Sequence, residues 1–535
     1  MSERVTRPRF QAPAAMWEHR CVEADRRPRH DDRPFAVVDV GSNSARMIVF
    51  RLRPGEHLDV LEDARAPLRL GRELRDDDSL GSEAIDRTLE TLRDFKAVAD
   101  GAGASRMIAV ATSAVRESRD GGRLVKEAHA AGVPLEVIDG DLEARFGFLG
   151  AVHDLPVVHG AAMDVGGGSM ELTSFHDRRF DRSWTLPFGS LRMSDRFLAS
   201  DPPSDREMKD LRKAVAAALE GSGVPELGEQ GDLVGIGGTV RNLAKMDLRR
   251  NHHPLPLLHG YELREGNLGS IIDDLAARTM KRRARLRGLN PDRADSIVGG
   301  ALVVLAAMRH LGAERVVVSS RGLREGLALG DLSSVPSPRQ VRTISAATLA
   351  ARFATWNVTV AERRSSLAVQ LMEALDPDAT PLVVEMLEHA ATLLDVGKAI
   401  DHYERFEHAA MIVTTADLAG FTHEALGTLS AILRHAGGAA SLGPNARLIP
   451  AGERPAVRRT AVALALAEEL HRRIPPGEPA AITCRWRGRF EVEAPVPAPW
   501  TPRSVADRFR AVFGAKLSIM PAPDARQLNP VMAPD

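Results

Sequence analysis

The sequence VDVGSNS, residues 38–44, recurs further along the chain as MDVGGGS, residues 163–169. Each copy ends an apolar run in an aspartate and then turns through small residues. Each is followed by a β-rich run, at residues 47–52 and 171–175. This pattern predicts two β-hairpins whose tight turns expose backbone N–H groups. Two such hairpins predict two related lobes.

The residue types in these turns suit a phosphate group. A Gly/Ser turn has little side chain in the way, so its N–H and hydroxyl groups can approach an anion. Asp39 and Asp164, which end the two strands, suit Mg²⁺ because this ion prefers oxygen ligands, and Glu171 adds a third carboxylate nearby. Gly/Ser turns also occur simply because they close hairpins. The duplication favours the phosphate-binding interpretation.

A third glycine-rich stretch, VGIGGT at residues 234–239, lies between an apolar strand pattern and a helical pattern. Its turn residues Gly237, Gly238 and Thr239 are predicted to present N–H groups to phosphate from the start of a helix.

Strand and helix patterns alternate from residue 35 to about residue 335, which is typical of α/β proteins. Residues 341–473 are rich in Ala and Leu with helical periodicity, and residues 480–495 return to alternation. We therefore place domain boundaries near residues 336 and 475. The leader, residues 1–33, is rich in Arg, Asp and Pro and is predicted to be disordered.

Composition argues against several classes of protein. The chain of 535 residues is 44% hydrophobic and 27% charged, so it can bury several cores. It contains no run of about 18 uncharged apolar residues, so neither a membrane span nor Sec export is expected. Two cysteines, Cys21 and Cys484, are too few for a disulfide framework or a thiolate zinc site, which fits a cytoplasmic setting. The balance of 71 basic against 72 acidic residues argues against a whole-chain nucleic-acid binder.

Two common catalytic motifs are missing from the sequence. There is no Gly-x-x-x-x-Gly-Lys-Ser/Thr loop of a P-loop NTPase and no Gly-x-Ser-x-Gly elbow of an α/β-hydrolase. Acyl transfer therefore has no support from the residues.

Six segments, in this order, resemble the exopolyphosphatase and guanosine pentaphosphate phosphohydrolase family: AVVDVGSNS (36–44), ATSAVR (111–116), VIDGDLEAR (137–145), MDVGGGSMEL (163–172), LPFGS (186–190) and GLREG (322–326). The family belongs to the superfamily of acetate kinase, sugar kinases, heat-shock ATPases and actin. The resemblance implies an α/β fold of two actin-like, ribonuclease H-like lobes, which we place at residues 34–147 and 148–335. An all-α, HD-like domain at residues 338–475 and a small α+β segment at residues 476–535 would follow.

The resemblance also implies roles for single residues. Glu143 matches the glutamate that acts on water, and a carboxylate that orients the nucleophile and takes its proton suits in-line attack on phosphorus. Without the resemblance, Glu143 would be interpreted as a carboxylate stabilised by a helix N-terminus, and Arg116 as a surface arginine. The predicted magnesium or water-organising carboxylates are Asp39, Asp164 and Glu171. The predicted phosphate ligands are Ser42, Asn43, Ser44, Arg116, Gly167, Gly168 and Ser169.

The helical region departs from a working HD site, because Leu394 stands where the histidine of the His-Asp pair would be. His389, Asp395, His408 and His435 are therefore not expected to form a binuclear metal centre. We interpret the domain as a dimerisation or polymer-guiding element, and the protein as a homodimer.

The basic run KRRARLR, residues 281–287, with Arg293 beyond it, has two interpretations. Most charge runs are solvated helix faces. If this run instead lines the approach to the cleft, it would steer a long polyanion through a salt-sensitive field.

The resemblance implies Mg²⁺-dependent hydrolysis of the terminal phosphoanhydride bond of inorganic polyphosphate. Conversion of guanosine pentaphosphate to the tetraphosphate uses the same chemistry and is the first alternative. An actin-fold kinase, for which neither an adenosine pocket nor an acceptor site is found, and a non-enzymatic sensor of polyphosphate or alarmone are further alternatives.

Overall fold

The structure is a computed structural model that describes residues 33–74, 78–228, 231–330 and 335–522. Within these ranges the chain divides into two compact units, one ending at Val341 and one beginning at Arg342. The predicted disordered leader, apart from Arg33, lies outside the described residues. No helix in the described ranges is both long and apolar enough to cross a membrane.

The first unit starts with a five-stranded sheet in the order β3-β2-β1-β4-β5, in which the β1–β2 and β2–β3 pairs are antiparallel and the other two pairs are parallel. Its elements are β1 (Phe35–Val40), β2 (Ser44–Arg53), β3 (His57–Pro67), α1 (Leu70–Glu73), α2 (Ser82–Gly101), β4 (Met107–Ala111), α3 (Ser113–Glu117), α4 (Gly121–Ala130) and β5 (Leu135–Val137).

A second sheet of six strands, in the order β10-β11-β9-β6-β7-β8, follows helix α5 (Gly140–His153). Its elements are β6 (Gly160–Val165), β7 (Met170–His176), β8 (Arg179–Leu186), α6 (Ser190–Phe197), α7 (Asp205–Glu220), β9 (Asp232–Ile236), α8 (Gly237–Arg250), β10 (Glu262–Arg264), α9 (Glu265–Ala276), α10 (Met280–Arg283), a 3₁₀ turn (Pro291–Arg293), α11 (Ile297–Leu311), β11 (Arg315–Val318) and α12 (Leu323–Leu329).

The central strand of the first sheet is apolar at almost every position because both of its faces are buried. Val38 and Val40 belong to one hydrophobic cluster, whereas Phe35 and Val37 belong to another, as the alternation of side chains along a strand requires. Two mixed sheets of this kind confirm the predicted pair of actin-like lobes.

Two helices cross between the sheets. Phe148 and Val152 of α5 pack with the second sheet, and Leu327 of α12 packs with Phe35 of the first. The crossing is close, because a Cβ atom at Gly150 would overlap the carbonyl oxygen of Gly322. The predicted lobe boundary between residues 147 and 148 therefore falls inside a helix rather than in a linker. The chain crosses between the lobes at this point, because α5 packs with the second sheet whereas α12, which follows that sheet, packs with the first.

The second unit is mostly helical, as predicted, and ends in a three-stranded sheet in the order β12-β13-β14. Its elements are α13 (Pro338–Ala351, which contains the division between the units), α14 (Val358–Leu375), α15 (Pro381–Leu393), a 3₁₀ helix (Leu394–Ala399), α16 (Arg405–Thr415), α17 (His423–Ala436), a 3₁₀ turn (Pro444–Leu448), α18 (Arg454–His471), β12 (Thr483–Trp486), β13 (Phe490–Ala494), α19 (Arg503–Phe513) and β14 (Leu517–Pro521).

Candidate active site

The two repeated turns each close a hairpin with one backbone hydrogen bond. The Gly41 N–H donates to the Ser44 carbonyl oxygen at 3.2 Å, and the Gly166 N–H donates to the Ser169 carbonyl oxygen at 3.0 Å. No acceptor in the described chain receives the backbone N–H groups of the intervening residues Ser42, Asn43, Gly167 and Gly168. Four backbone donors are therefore available to a ligand.

These two turns lie against each other across the lobes. A Cβ atom at Gly167 would be 3.2 Å from the Cβ of Ser42, and one at Gly168 would be 3.1 Å from the Oγ of Ser113. The Ser42 and Ser113 hydroxyl groups are 2.7 Å apart and buried. The structure thus brings the predicted phosphate-binding turns together. It adds Ser113, which sequence reasoning missed although it belongs to segment 111–116.

The two aspartates at the strand ends are both partly buried, and their charges interact. Burial raises the pKa of Asp39 to about 6; the charges of Arg324 and Arg46 oppose this shift, and the charge of Asp164 adds to it. Burial also raises the pKa of Asp164, against Arg241 and Arg293. Because the Asp39 pKa responds to the Asp164 charge, the aspartates of the two hairpins point toward one site.

Glu171 faces the same site from the neighbouring strand, where it pairs with Asp164 in the β6–β7 register. Burial raises its pKa well above the ordinary value, and the charges of Glu143 and Asp164 raise it further. In the described chain its Oε1 atom is buried and has no hydrogen-bond partner. A buried carboxylate oxygen without a donor is costly unless something else binds it.

Glu143 lies in the first turn of α5, where Asp139 caps the helix by accepting from the Leu142 N–H at 2.8 Å. One Arg116 nitrogen, Nη1, donates both to Glu143 Oε2 at 3.2 Å and to the Ile138 carbonyl oxygen at 2.8 Å. Burial raises the pKa of Glu143 to about 7, Arg116 opposes this shift, and Asp39 adds to it. Glu143, Asp164 and Glu171 line one pocket.

Arg116 was predicted to bind phosphate. The structure shows its guanidinium bound to Glu143, so at minimum it fixes the position of that carboxylate. A contact to phosphate stays a prediction.

The third glycine-rich stretch lies at the start of α8, directly after β9, as the sequence pattern predicts. Gly237 has a φ of 81°, and a Cβ atom there would overlap Asp164 Oδ1, so this position needs glycine. Thr239 is fully buried and donates its hydroxyl to the Val165 carbonyl oxygen at 3.0 Å. Its hydroxyl therefore holds the second hairpin, and the predicted contacts of the Gly237, Gly238 and Thr239 N–H groups with phosphate stay a prediction. A Cβ atom at Gly238 would overlap the Arg293 guanidinium, so an arginine covers that residue.

Sequence reasoning missed a cluster of arginines beside the aspartates. We call it the arginine cluster; its members interact through their charges and are Arg46, Arg65, Arg241, Arg293 and Arg324. Burial, reinforced by the neighbouring guanidinium charges, lowers the pKa values of Arg46, Arg241 and Arg293 to about 10. Nε and Nη2 of Arg65 are buried without a hydrogen-bond partner in the described ranges. Like charges held this close favour an anionic ligand.

One sequence signal pointed toward these arginines. Arg46 pairs with Asp39 and with Arg65 in the strand register, and Arg324 lies in segment 322–326. Arg293 was predicted to act with the basic run, yet its side chain lies at Gly238.

The basic run itself divides by exposure. Arg283 is buried and binds Asp201 Oδ1 at 2.9 Å and the Ala294 carbonyl oxygen at 3.0 Å, so it stabilises the fold. Lys281, Arg282, Arg285 and Arg287 are exposed. Steering by these four residues stays a prediction.

The candidate carboxylates fit a divalent cation. Mg²⁺ prefers carboxylate oxygens, and Asp39, Asp164 and Glu171 have raised pKa values because burial leaves their charges poorly compensated. The unpartnered Glu171 oxygen is the strongest sign of a missing ligand.

The residues of the HD-like prediction have protein partners in the helical unit. Asp395 binds Arg364 and Lys398, each at 2.8 Å. His389 lies 3.4 Å from Glu385, and His435 Nδ1 lies 2.8 Å from the Ala439 carbonyl oxygen.

Comparison with known proteins extends these observations. The sequence model of the Ppx/GppA phosphatase family matches residues 48–335, and that of Ppx/GppA phosphatase, domain III, matches residues 341–484. Exopolyphosphatase 1 of Mycobacterium bovis is 31% identical over 309 residues, which cover 56% of this chain and 88% of that protein. Exopolyphosphatase 2 of Mycobacterium tuberculosis is 32% identical over 316 residues, covering 55% and 97%.

Solved structures give the same result. The crystal structure of the Ppx/GppA family member of Aquifex aeolicus superposes with a TM-score of 0.50 at 25% identity, covering 56% of this chain and 96% of that one. An exopolyphosphatase from Cytophaga hutchinsonii superposes with a TM-score of 0.50 at 24% identity, covering 55% and 96%, and supports the fold alone. With two opposed hairpins, a buried carboxylate site and these matches, the chain belongs to the Ppx/GppA phosphatase family of phosphoanhydride hydrolases.

Proposed function

We propose that this protein is an exopolyphosphatase that removes orthophosphate from the end of inorganic polyphosphate by Glu143-assisted attack of water. One observation carries the proposal. The Glu143 carboxylate shares a pocket with Asp164 and Glu171, and the hairpin turns that follow Asp39 and Asp164 leave four backbone N–H groups without acceptors in the described chain.

The chain's own groups are suited to each part of this reaction. The free N–H groups of the two turns would hold the oxygens of the terminal phosphate. Glu143 would orient a water molecule and take its proton as the water oxygen bonds to phosphorus. The phosphoanhydride P–O bond then breaks, and the bridging oxygen leaves with the shortened chain. A base with a pKa near 7 is well matched to neutral pH.

Asp39, Asp164 and Glu171 are the residues that would hold Mg²⁺. When bound, the ion would neutralise charge on phosphate oxygens.

The arginine cluster supports a substrate with several phosphates. It adds five guanidinium groups beside the aspartates, more than the terminal phosphate alone can contact, although neighbouring carboxylates such as Asp292 share them. Guanidinium groups bind phosphate oxygens through paired N–H donors. Guanosine pentaphosphate also carries several phosphates, so the same cluster is compatible with the first alternative substrate.

Turnover measured side by side on polyphosphate and guanosine pentaphosphate tests the substrate. We expect the larger kcat/KM on polyphosphate. Release of phosphate from guanosine pentaphosphate alone would replace this proposal by the alternative. ATP-dependent transfer to a small alcohol without any release from polyphosphate would favour a kinase. The homodimer and the cytoplasmic setting stay predictions from the sequence.

The pH dependence of turnover should report the ionisation of Glu143. Since a base must be deprotonated, kcat/KM at a fixed Mg²⁺ concentration should fall about tenfold per pH unit below the Glu143 pKa. Arg116 lowers this pKa, so Arg116→Gln should move the acid limb to higher pH. Arg123→Gln, which removes an exposed arginine bound to Glu127, is the control and should leave the limb in place. An acid limb that Arg116→Gln does not move would contradict the assignment.

The buried Glu171 carboxylate should destabilise the protein at neutral pH when no cation is bound. A raised pKa in the folded state means that the associated stability is present below the unfolded pKa and is lost as pH rises. Glu171→Gln should therefore raise the thermal unfolding midpoint at pH 8, have little effect near pH 4, and reduce the stabilisation by added Mg²⁺. The control is Glu136→Gln, which removes an exposed carboxylate of β5. A lower midpoint for Glu171→Gln at pH 8 would count against the cation site.

A further inference from the structure

The helical unit contains a second charged pocket, separate from the carboxylate site. Its lining includes four cationic side chains, those of Arg364, Lys398, Arg405 and Arg472, together with Glu468, His402 and His471. Its cavity volume is about 100 Å³. We refer to it as the Arg364 pocket. The family models and the reaction proposed above assign it no role.

Its floor is a buried network of ion pairs. The fully buried Arg364 guanidinium donates from Nη2 to Asp395 at 2.8 Å, from Nε to Glu468 at 2.7 Å and from Nη1 to the Ala391 carbonyl oxygen at 2.8 Å. All its nitrogen atoms are satisfied. This network fixes the positions of both carboxylates.

Each carboxylate also binds a second cation. Lys398 Nζ lies 2.8 Å from Asp395 Oδ1, and Arg405 Nη2 donates to Glu468 Oε1 at 2.9 Å. Two carboxylates thus face four cations. Glu469 does not correct the imbalance, because it pairs with Arg473 at 2.6 Å and lies 3.7 Å from Arg472. With Glu469 and Arg473 included, three carboxylates face five cations, so the cations around the pocket exceed the carboxylates by two.

Two buried nitrogen atoms at this pocket have no hydrogen-bond partner within the described chain. They are Nε of Arg405, whose side chain is about nine-tenths buried, and Nδ1 of His471. Burial lowers the pKa of His471, and the charge of Arg364 adds to that effect, which accords with an excess of positive charge. The unsatisfied Arg405 Nε–H donor, beside an excess of cations, suits a multiply charged oxyanion.

We propose that the Arg364 pocket binds a phosphate group, contacted by Lys398, Arg405 and Arg472. A phosphate dianion matches the excess of two cations, and its several oxygens match the number of donors. The group could be free orthophosphate or a phosphate of a polyphosphate chain, which offer the same chemistry. The proposal rests on the second unit alone and does not depend on the proposed function.

Hydrogen exchange of the full-length protein tests this site directly. The probe is orthophosphate, compared with sodium chloride at equal ionic strength. We expect orthophosphate to slow amide exchange in residues 394–405 and 468–473, and to do so equally in Glu143→Gln. A second arm uses long-chain polyphosphate in Glu143→Gln, which identifies whether free phosphate or chain phosphate is bound.

Two variants provide the matched comparison. Lys398→Gln/Arg472→Gln should weaken the phosphate effect about tenfold or more, since two charged hydrogen-bond donors are lost. Arg489→Gln removes an equally exposed arginine of the C-terminal sheet (52% against 55% exposed for Arg472) and should bind like the wild type. If the double variant is unstable, Arg472→Gln alone is used, because its side chain lies at the rim.

The site is supported if orthophosphate or polyphosphate slows exchange and this protection is lost in the variant that lacks Arg472. The anion that protects is then its ligand. Three outcomes would overturn the proposed site: no protection by either anion, equal protection by chloride, or unchanged protection in the variant that lacks Arg472. Protection confined to residues 42–44 and 166–169 would assign phosphate to the active site only and would also overturn it.

Discussion

Replacing Glu143 by Gln should lower polyphosphate turnover by about two to four orders of magnitude. The substitution keeps the shape of the side chain, and an amide oxygen can still accept the hydrogen bond from Arg116. It removes the group that takes a proton from the attacking water. Because the turn N–H groups that hold phosphate are untouched, we expect KM to change much less than kcat.

The control for this variant is Glu136→Gln, which removes an exposed carboxylate seven residues earlier in the chain. Its turnover should equal that of the wild type. Orthophosphate release is measured for all three proteins at saturating polyphosphate and Mg²⁺. Equal rates for Glu143→Gln and the wild type would remove Glu143 from the reaction.

Replacing Arg364 by Met should destabilise the helical unit by about 3–5 kcal/mol. Methionine has similar length and keeps the packing, but Asp395 and Glu468 would lose the guanidinium that they share in a fully buried position. Removing one partner of a buried ion pair leaves the other charges under-compensated. The loss should appear in hydrogen exchange as faster opening of α14, α15 and α18.

Arg489→Met is the matched control, because Arg489 is half exposed and its ion pair with Glu491 lies at the surface. Exposed pairs contribute about 1 kcal/mol or less. An equal, small effect in the two variants would show that the buried network does not stabilise this unit.

The repeat at residues 38–44 and 163–169 was enough to predict the paired hairpins and the two aspartates, Asp39 and Asp164, that precede their turns. That information is local, since an aspartate at a strand end followed by a Gly/Ser turn is visible within seven residues. The pairing of the two turns followed from their duplication. The structure shows how close they lie, with Ser42 against Gly167 and Gly168.

The arginine cluster could not be predicted in the same way. Its members come from separate segments, on β2, β3, α8, α12 and a 3₁₀ turn, and only tertiary folding brings them together. Apart from Arg324, which lies in segment 322–326, each has the sequence context of a surface arginine. The Thr239 hydroxyl was likewise invisible to the sequence, because only the fold shows that it donates to the Val165 carbonyl oxygen.

Arg364 was hidden for a similar reason. It lies in an amphipathic helix among other charged residues, where the sequence gives no sign that its side chain is fully buried. Its partners Asp395 and Glu468 are about 30 and 100 positions away. Long-range ion pairs of this kind leave no periodic signal in a single sequence.

Hydrolysis of polyphosphate in H₂¹⁸O with Mg²⁺ identifies the group that attacks the terminal phosphorus. If water attacks the terminal phosphorus, each orthophosphate released in a single turnover by the wild type carries one oxygen from the solvent. No release of orthophosphate, or release without solvent oxygen, would contradict water attack in the cleft between the two lobes.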